Sequence, residues 1–100
     1  MFLSLLNLCD GDATKVLSKK EERTNINIAS HVRSIYLRVV EMDRSSEKLY
    51  VISIDVAAGP DPKIHFIDLK AAEDFYRLIL DGIINETPFM EFDVLKYGAI

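Results

Sequence analysis

Residues 49–85 read LYVISIDVAAGPDPKIHFIDLKAAEDFYRLILDGIIN, and this stretch decides the fold. Leu49 to Val56 alternates with a period of two, which puts Tyr50, Ile52, Ile54 and Val56 on one side of a strand and Leu49, Val51, Ser53 and Asp55 on the other. The first side is core. The second begins apolar and ends polar, the pattern of a sheet that is covered only in part. Ala58-Gly59-Pro60-Asp61-Pro62 ends the strand, because neither proline can donate to a ladder and glycine accepts the positive φ of a tight turn. Lys63 to Ile67 resumes β character. Asp68 follows where an N-cap carboxylate would accept the free amides of a helical first turn, so a helix should start at Leu69.

From Leu69 to Asn85 the apolar residues Leu69, Ala72, Phe75, Tyr76, Ile79, Leu80 and Ile83 recur at three- and four-residue spacing, while Lys70, Glu73, Asp74, Arg77 and Asp81 fill the other side. The pattern predicts an amphipathic helix that needs a sheet to lie on, since an isolated helix of this length is marginal in water. Gly82 costs about 1 kcal/mol there relative to Ala, which implies a close helix-to-sheet contact or a fraying last turn. Pro88 closes the element.

Working upstream, Arg33 to Asp43 fits both periods, with Ile35, Leu37 and Val39 on a strand face or Val32, Ile35, Tyr36, Val39 and Val40 on a helical stripe. Its β-branched and aromatic content favours a strand, and Asp43-Arg44-Ser45-Ser46-Glu47 is a polar connection of hairpin length. Asn25 to Ala29 reads as a short strand. Phe2 to Cys9 fits a strand or a two-turn helix, and the strand is the better fit. Residues 10–27 read as a long mobile polar loop.

One hundred residues, 49% of them hydrophobic, form one domain with a core that does not depend on disulfides or metals. Cys9 stands alone and cannot form an internal disulfide, which fits a reducing, cytoplasmic setting. Met1 to Cys9 is far short of the roughly 20 apolar residues of a membrane span and lacks the basic start of a secretory signal. The net charge of −4 is uneven: residues 1–50 carry eight Lys or Arg against seven Asp or Glu, whereas residues 51–100 carry four against nine. The acidic helical half disfavours a phosphate backbone as its partner.

Catalytic chemistry finds little to stand on. His31 and His65 lie more than thirty positions apart with no zinc-ligand spacing beside either, nothing local lowers the Cys9 pKa, and Glu73-Asp74 point apart on a helix. The chain therefore reads as noncatalytic, with no cofactor and no metal. Asp10 to Glu21 resembles the calcium loop of the EF-hand family, with Asp10, Asp12, Thr14 and Ser18 at the first, third, fifth and ninth positions and Glu21 at the twelfth. Lys15 occupies the sixth position, where the sharp turn wants Gly, and three lysines inside the loop repel a divalent cation, so a polar loop is the better reading.

Two surfaces remain as candidate binding sites. Lys15, Lys19, Lys20 and Arg23 form a basic cluster that Arg33 and Arg38 extend, with Tyr36 in phase with Arg38 as a stacking face for a single-stranded base. The layout of several strands followed by one covering helix resembles that of the single-strand-binding coactivator and Whirly group, and equally that of pleckstrin-homology-like barrels. Motif residues of neither are present. The second surface is the tail, where Phe89, Met90, Phe92, Val94, Leu95 and Tyr97 are too many apolar side chains to leave in water. They form a last strand on the sheet or pair with a partner chain, and 88–100 is read as tail or last strand. Tyr36, Val40, Met42, Leu49 and Val51 make the sheet apolar on two sides where one helix covers one, which suggests a homodimer.

The sequence thus predicts a single α+β domain over 1–100, an antiparallel sheet of three or more strands packed on one main C-terminal helix as two layers or a partly open barrel. Its expected role is a noncatalytic protein-interaction module, homodimeric, with single-stranded nucleic-acid binding as the alternative.

Overall fold

The computed structural model of the chain describes residues 2–10, 22–41, 47–59 and 61–100. Six strands and one long helix follow in the order β1 (Phe2–Asp10), β2 (Glu22–Ile28), β3 (Val32–Glu41), β4 (Lys48–Val56), β5 (Lys63–Phe66), α1 (Leu69–Ile84) and β6 (Phe89–Asp93), with a 3-10 turn at Val94–Tyr97. The class is α+β, as the sequence implies, but the strands divide between two sheets. One has the order β2-β1-β6, in which β1–β2 is antiparallel and β1–β6 parallel. The other is the antiparallel meander β3-β4-β5. After the 3-10 turn the chain crosses from one to the other, where Ala99 bridges Phe66 and the Ile100 amide donates to the His65 carbonyl at 2.9 Å.

Helix α1 begins where its capping chemistry says it should. Asp68 has extended backbone angles and its carboxylate accepts the Ala71 amide at 3.2 Å. The stripe then buries Ala72, Phe75 and Ile79 completely, burial that stabilises by about 1.5–3 kcal/mol for each of the two larger side chains. Phe75 is the hub: its ring meets Phe66 of β5 at 5.8 Å, Phe92 of β6 at 5.4 Å and Tyr97 at 5.0 Å, so one side chain ties the helix to both sheets. Gly82 sits where a Cβ would overlap the Met90 sulfur, which identifies the close contact its position implied. The helix does not fray. It ends in paired bonds, Thr87 amide to Gly82 carbonyl at 2.9 Å and Glu86 amide to Ile83 carbonyl at 3.1 Å, with Glu86 itself in the left-handed region at φ 54.

Strand β1 explains its own ambiguity. Strict alternation would send Leu3, Leu5 and Asn7 inward. Instead the register with β2 slips one residue between Leu5 and Leu8, Asn7 takes φ 59, and Leu3, Leu5 and Leu8 are all buried in the core. The bulge is held by its neighbours: the Asn7 amide donates to Asn25 Oδ1 at 3.0 Å, Asn7 Nδ2 donates to Asp93 Oδ1 at 3.1 Å, and Arg23 donates to the Asn7 carbonyl at 3.2 Å. Asp93 Oδ1 also accepts the Leu95 amide and so caps the 3-10 turn.

Several expectations change in the folded chain. The polar loop expected over residues 10–27 does not include Asp10 or residues 22–27, because Glu22–Ile28 pairs with β1 as strand β2; its polar side chains suit an edge strand that faces water. Arg33 to Asp43 is a strand as far as Glu41. On β4 both sides are covered: Leu49 and Val51 are as buried as Ile52 and Ile54, the second side opens only at Asp55, and Tyr50, expected in the core, is half-buried at its margin. Leu49 and Val51 therefore do not need a second copy to cover them. Of the calcium-like loop only Asp10, the last residue of β1, is described; residues 11–21 with Lys15, Lys19, Lys20 and Glu21, and residues 42–46 with Met42, lie outside the described residues.

Candidate protein-interaction surface

Each sheet has two outer strands, and they are built differently. β2 closes one sheet with Glu22, Arg23, Asn25 and Asn27 exposed, a polar edge that discourages pairing with another chain. β3 closes the other sheet, and its residues run Val32-Arg33-Ser34-Ile35-Tyr36-Leu37-Arg38-Val39-Val40-Glu41. Among the described residues β3 pairs with β4 alone. Tyr36 is 50% exposed and Val39 52% exposed, with Ile35, Leu37 and Val40 half-buried between them.

The hydrogen-bond phase of β3 follows from the strand beside it. The Ile54 amide donates to the Pro62 carbonyl at 3.1 Å, on the β5 side of β4, so Ile54 does not exchange hydrogen bonds with its β3 partner Ile35. Register is regular from Ser34 to Glu41, which makes Ile35, Leu37 and Val39 the residues whose N–H and C=O groups point away from β4, to the edge that no described strand covers. The Tyr76 hydroxyl reaches the Ile35 carbonyl at 3.5 Å from the helix, in keeping with that orientation.

Polar groups decorate the face of β3 turned away from the helix. Arg33 lies at a bulge between Val32 and Ser34, and its guanidinium meets Asp55 at 2.8 Å. Ser34 donates to the Tyr36 hydroxyl at 2.7 Å. Tyr36 and Arg38 share this face by alternation and both are exposed. Of the basic residues singled out in the sequence, Arg33 and Arg38 thus share a strand with Tyr36, while Arg23 stands on β2 and bonds the Asn7 carbonyl.

The tail residues separate by burial. Met90 and Val94 are buried in the core, at 7% and 1% exposure, so neither is a surface contact; Phe92 is half-buried, its ring edge-on to Phe75 and Tyr97. Phe89, Leu95 and Tyr97 remain exposed, and Phe89 stacks on Phe2 at 5.4 Å. Tyr97 and Leu78 line a shallow groove of about 430 Å³ whose rim carries Asp68, Lys70, Asp74 and Lys96. A second cleft, about 540 Å³, lies between the β2–β3 connection and the end of the helix, lined by Ser30, His31, Val32, Ile83, Glu86 and Pro88.

The residues weighed for chemistry are dispersed. Cys9 and His65 are buried on strands of different sheets and His31 is exposed on the connection after β2. Among the described residues no group of three His, Cys, Asp or Glu is placed to hold a metal ion, and no helix is long and apolar enough to cross a membrane. No protein-family model, curated protein or solved structure matches this chain.

The sequence missed the β3 edge as a candidate because edge status depends on which strands pair. The signal available was the run of apolar side chains on both parities from Ile35 to Val40, read there as a matter of faces.

Proposed function

We propose that this chain is a noncatalytic protein-interaction module, an adaptor, inhibitor or regulatory subunit, that works as a homodimer in the cytoplasm. The observation that carries the reading is the edge of β3, unpaired among the described residues, where outward backbone groups of Ile35, Leu37 and Val39 lie beside the half-exposed side chains of Tyr36 and Val39. The polar β2 edge supports it by contrast, since polar side chains blunt that edge and do not blunt the edge at β3. Phe89, Leu95 and Tyr97 provide a second apolar surface for a protein partner. The lone, buried Cys9 suits a reducing compartment. The test is mass by size-exclusion chromatography with light scattering across a wide concentration range. A dimer is expected, and a monomer throughout overturns the homodimer.

Single-stranded nucleic-acid binding is the second reading, favoured by Tyr36 and Arg38 on one exposed face. It predicts oligonucleotide binding that weakens steeply with salt. Absence of binding at low salt removes it.

A further inference from the structure

We infer that the partner at the β3 edge is a second copy of this chain, paired antiparallel about a two-fold axis through Leu37 so that β3 and its symmetry mate join two three-stranded sheets into one. The inference rests on the interaction-module reading and adds to it the partner and the register.

The register follows from hydrogen-bond phase and from charge. Because Ile35, Leu37 and Val39 present their backbone groups outward, these odd-numbered positions must face one another across the new junction. An axis through Leu37 pairs Leu37 with its own copy and Ile35 with Val39. It also pairs Tyr36 with Arg38 twice, as non-hydrogen-bonded neighbours whose Cα atoms lie only about 4.5 Å apart, the closer of the two strand spacings. There the guanidinium of one copy lies over the ring of the other. Arg33, whose guanidinium also meets Asp55, and Glu41 of the other copy lie just beyond each end of the regular overlap, so unlike charges are neighbours there.

Neighbouring registers of the same phase are worse. An axis through Arg38 sets two arginines directly against each other, and an axis through Tyr36 leaves Arg38 facing Ser34 and Arg33 facing Val39. The Tyr36 axis also shortens the regular overlap to Ser34–Arg38, against Ser34–Val40 for the Leu37 axis. The contact with Tyr76 does not block pairing, because the Ile35 carbonyl has a second lone pair for the Val39 amide of the other copy. The apolar pairs Leu37–Leu37 and Ile35–Val39 lie on the helix side of the sheet, where Val39 is half-exposed in the single chain.

The decisive experiment is oxidative cross-linking of a Ser34→Cys/Val40→Cys double variant. In this register residue 34 of one copy faces residue 40 of the other as a non-hydrogen-bonded pair, within disulfide reach. Within one chain the two are about 20 Å apart, so they cannot join to each other. Native Cys9 is buried, and the unsubstituted chain oxidised alongside controls for it. Disulfide-linked dimer from the double variant, with monomer from each single variant, is the expected result; circular dichroism of each variant verifies folding. Arg38→Glu is expected to weaken dimerisation about tenfold by removing both ring contacts. If the unsubstituted chain is a dimer but the folded double variant does not cross-link, the register is overturned and the interaction module stands. If the chain is monomeric at every concentration, the self-pairing is overturned with the homodimer.

Discussion

Replacing Gly82 with alanine is the sharpest test of how α1 meets β6. On an unobstructed helix the change is favourable by about 1 kcal/mol, because glycine loses more backbone freedom on folding. Here the added Cβ would overlap the Met90 sulfur and lie 3.1 Å from Met90 Cε and 3.5 Å from Cγ. Met90 has little room to retreat: it is 7% exposed, and its backbone is fixed opposite Leu3 in the β1–β6 pair. Overpacking of this kind costs about 1–3 kcal/mol, so Gly82→Ala should destabilise by about 1 kcal/mol net. In a Met90→Ala background the obstruction is gone and the same substitution should stabilise by about 1 kcal/mol, although Met90→Ala alone costs about 2–5 kcal/mol. Urea unfolding of the four chains, followed by far-UV circular dichroism, measures the double-mutant cycle with a coupling of about 2 kcal/mol. An effect of Gly82→Ala that has the same sign and size in both backgrounds would refute the reasoning.

Other perturbations follow from the same geometry. Glu86→Gly should raise stability by about 1 kcal/mol in urea unfolding, since glycine takes the left-handed φ of 54 freely and an acidic side chain leaves the negative end of the helix. Asn7→Val should cost about 2 kcal/mol or more, because a β-branched residue resists φ 59 and the bond to Asp93 is lost, whereas Asn7→Gly should cost less; thermal melts of both decide it. Phe75→Ala removes contacts with three aromatic rings and should cost about 3–5 kcal/mol, a large share of the roughly 5–15 kcal/mol a domain of this size has, visible as a collapse of the thermal midpoint.

What could be read in advance was what is local. Asp68 announces the helix start because its carboxylate bonds an amide three residues on, and the sequence-predicted stripe of Ala72, Phe75 and Ile79 is the buried one. The β4 strand itself was legible from its alternation, but not the cover on its second side, where Leu49 and Val51 are buried as deeply as Ile52 and Ile54. β1 was ambiguous because its bulge breaks the period of two at Asn7, and a residue that shifts register leaves no mark on composition. The parallel partnership of β1 with β6, the division into two sheets and the exposure of β3 depend on contacts between distant segments. That is also why Met90 and Val94 were grouped with exposed Phe89, Leu95 and Tyr97: hydrophobicity is legible, but which neighbour covers it is not.

The parallel pairing of β1 with β6 carries a consequence for the order of events in folding. The Phe2 amide donates to the Pro88 carbonyl at 2.9 Å, and the side chains of Asn7 and Asp93 bond across 86 positions of sequence. Such a junction has high contact order and pays its loop-closure entropy before any reward, which slows it relative to the local β3-β4-β5 meander. During synthesis β1 and β2 emerge first, yet β1 waits with one open flank until residues 89–93 have left the ribosome. Leu3 and Leu5, which end fully buried, are without β6 for all of that interval. A chain stopped before Phe89 would lose the third strand of that sheet and leave the β1 edge unpaired along Phe2–Leu6, with the backbone groups that β6 satisfies open to another strand.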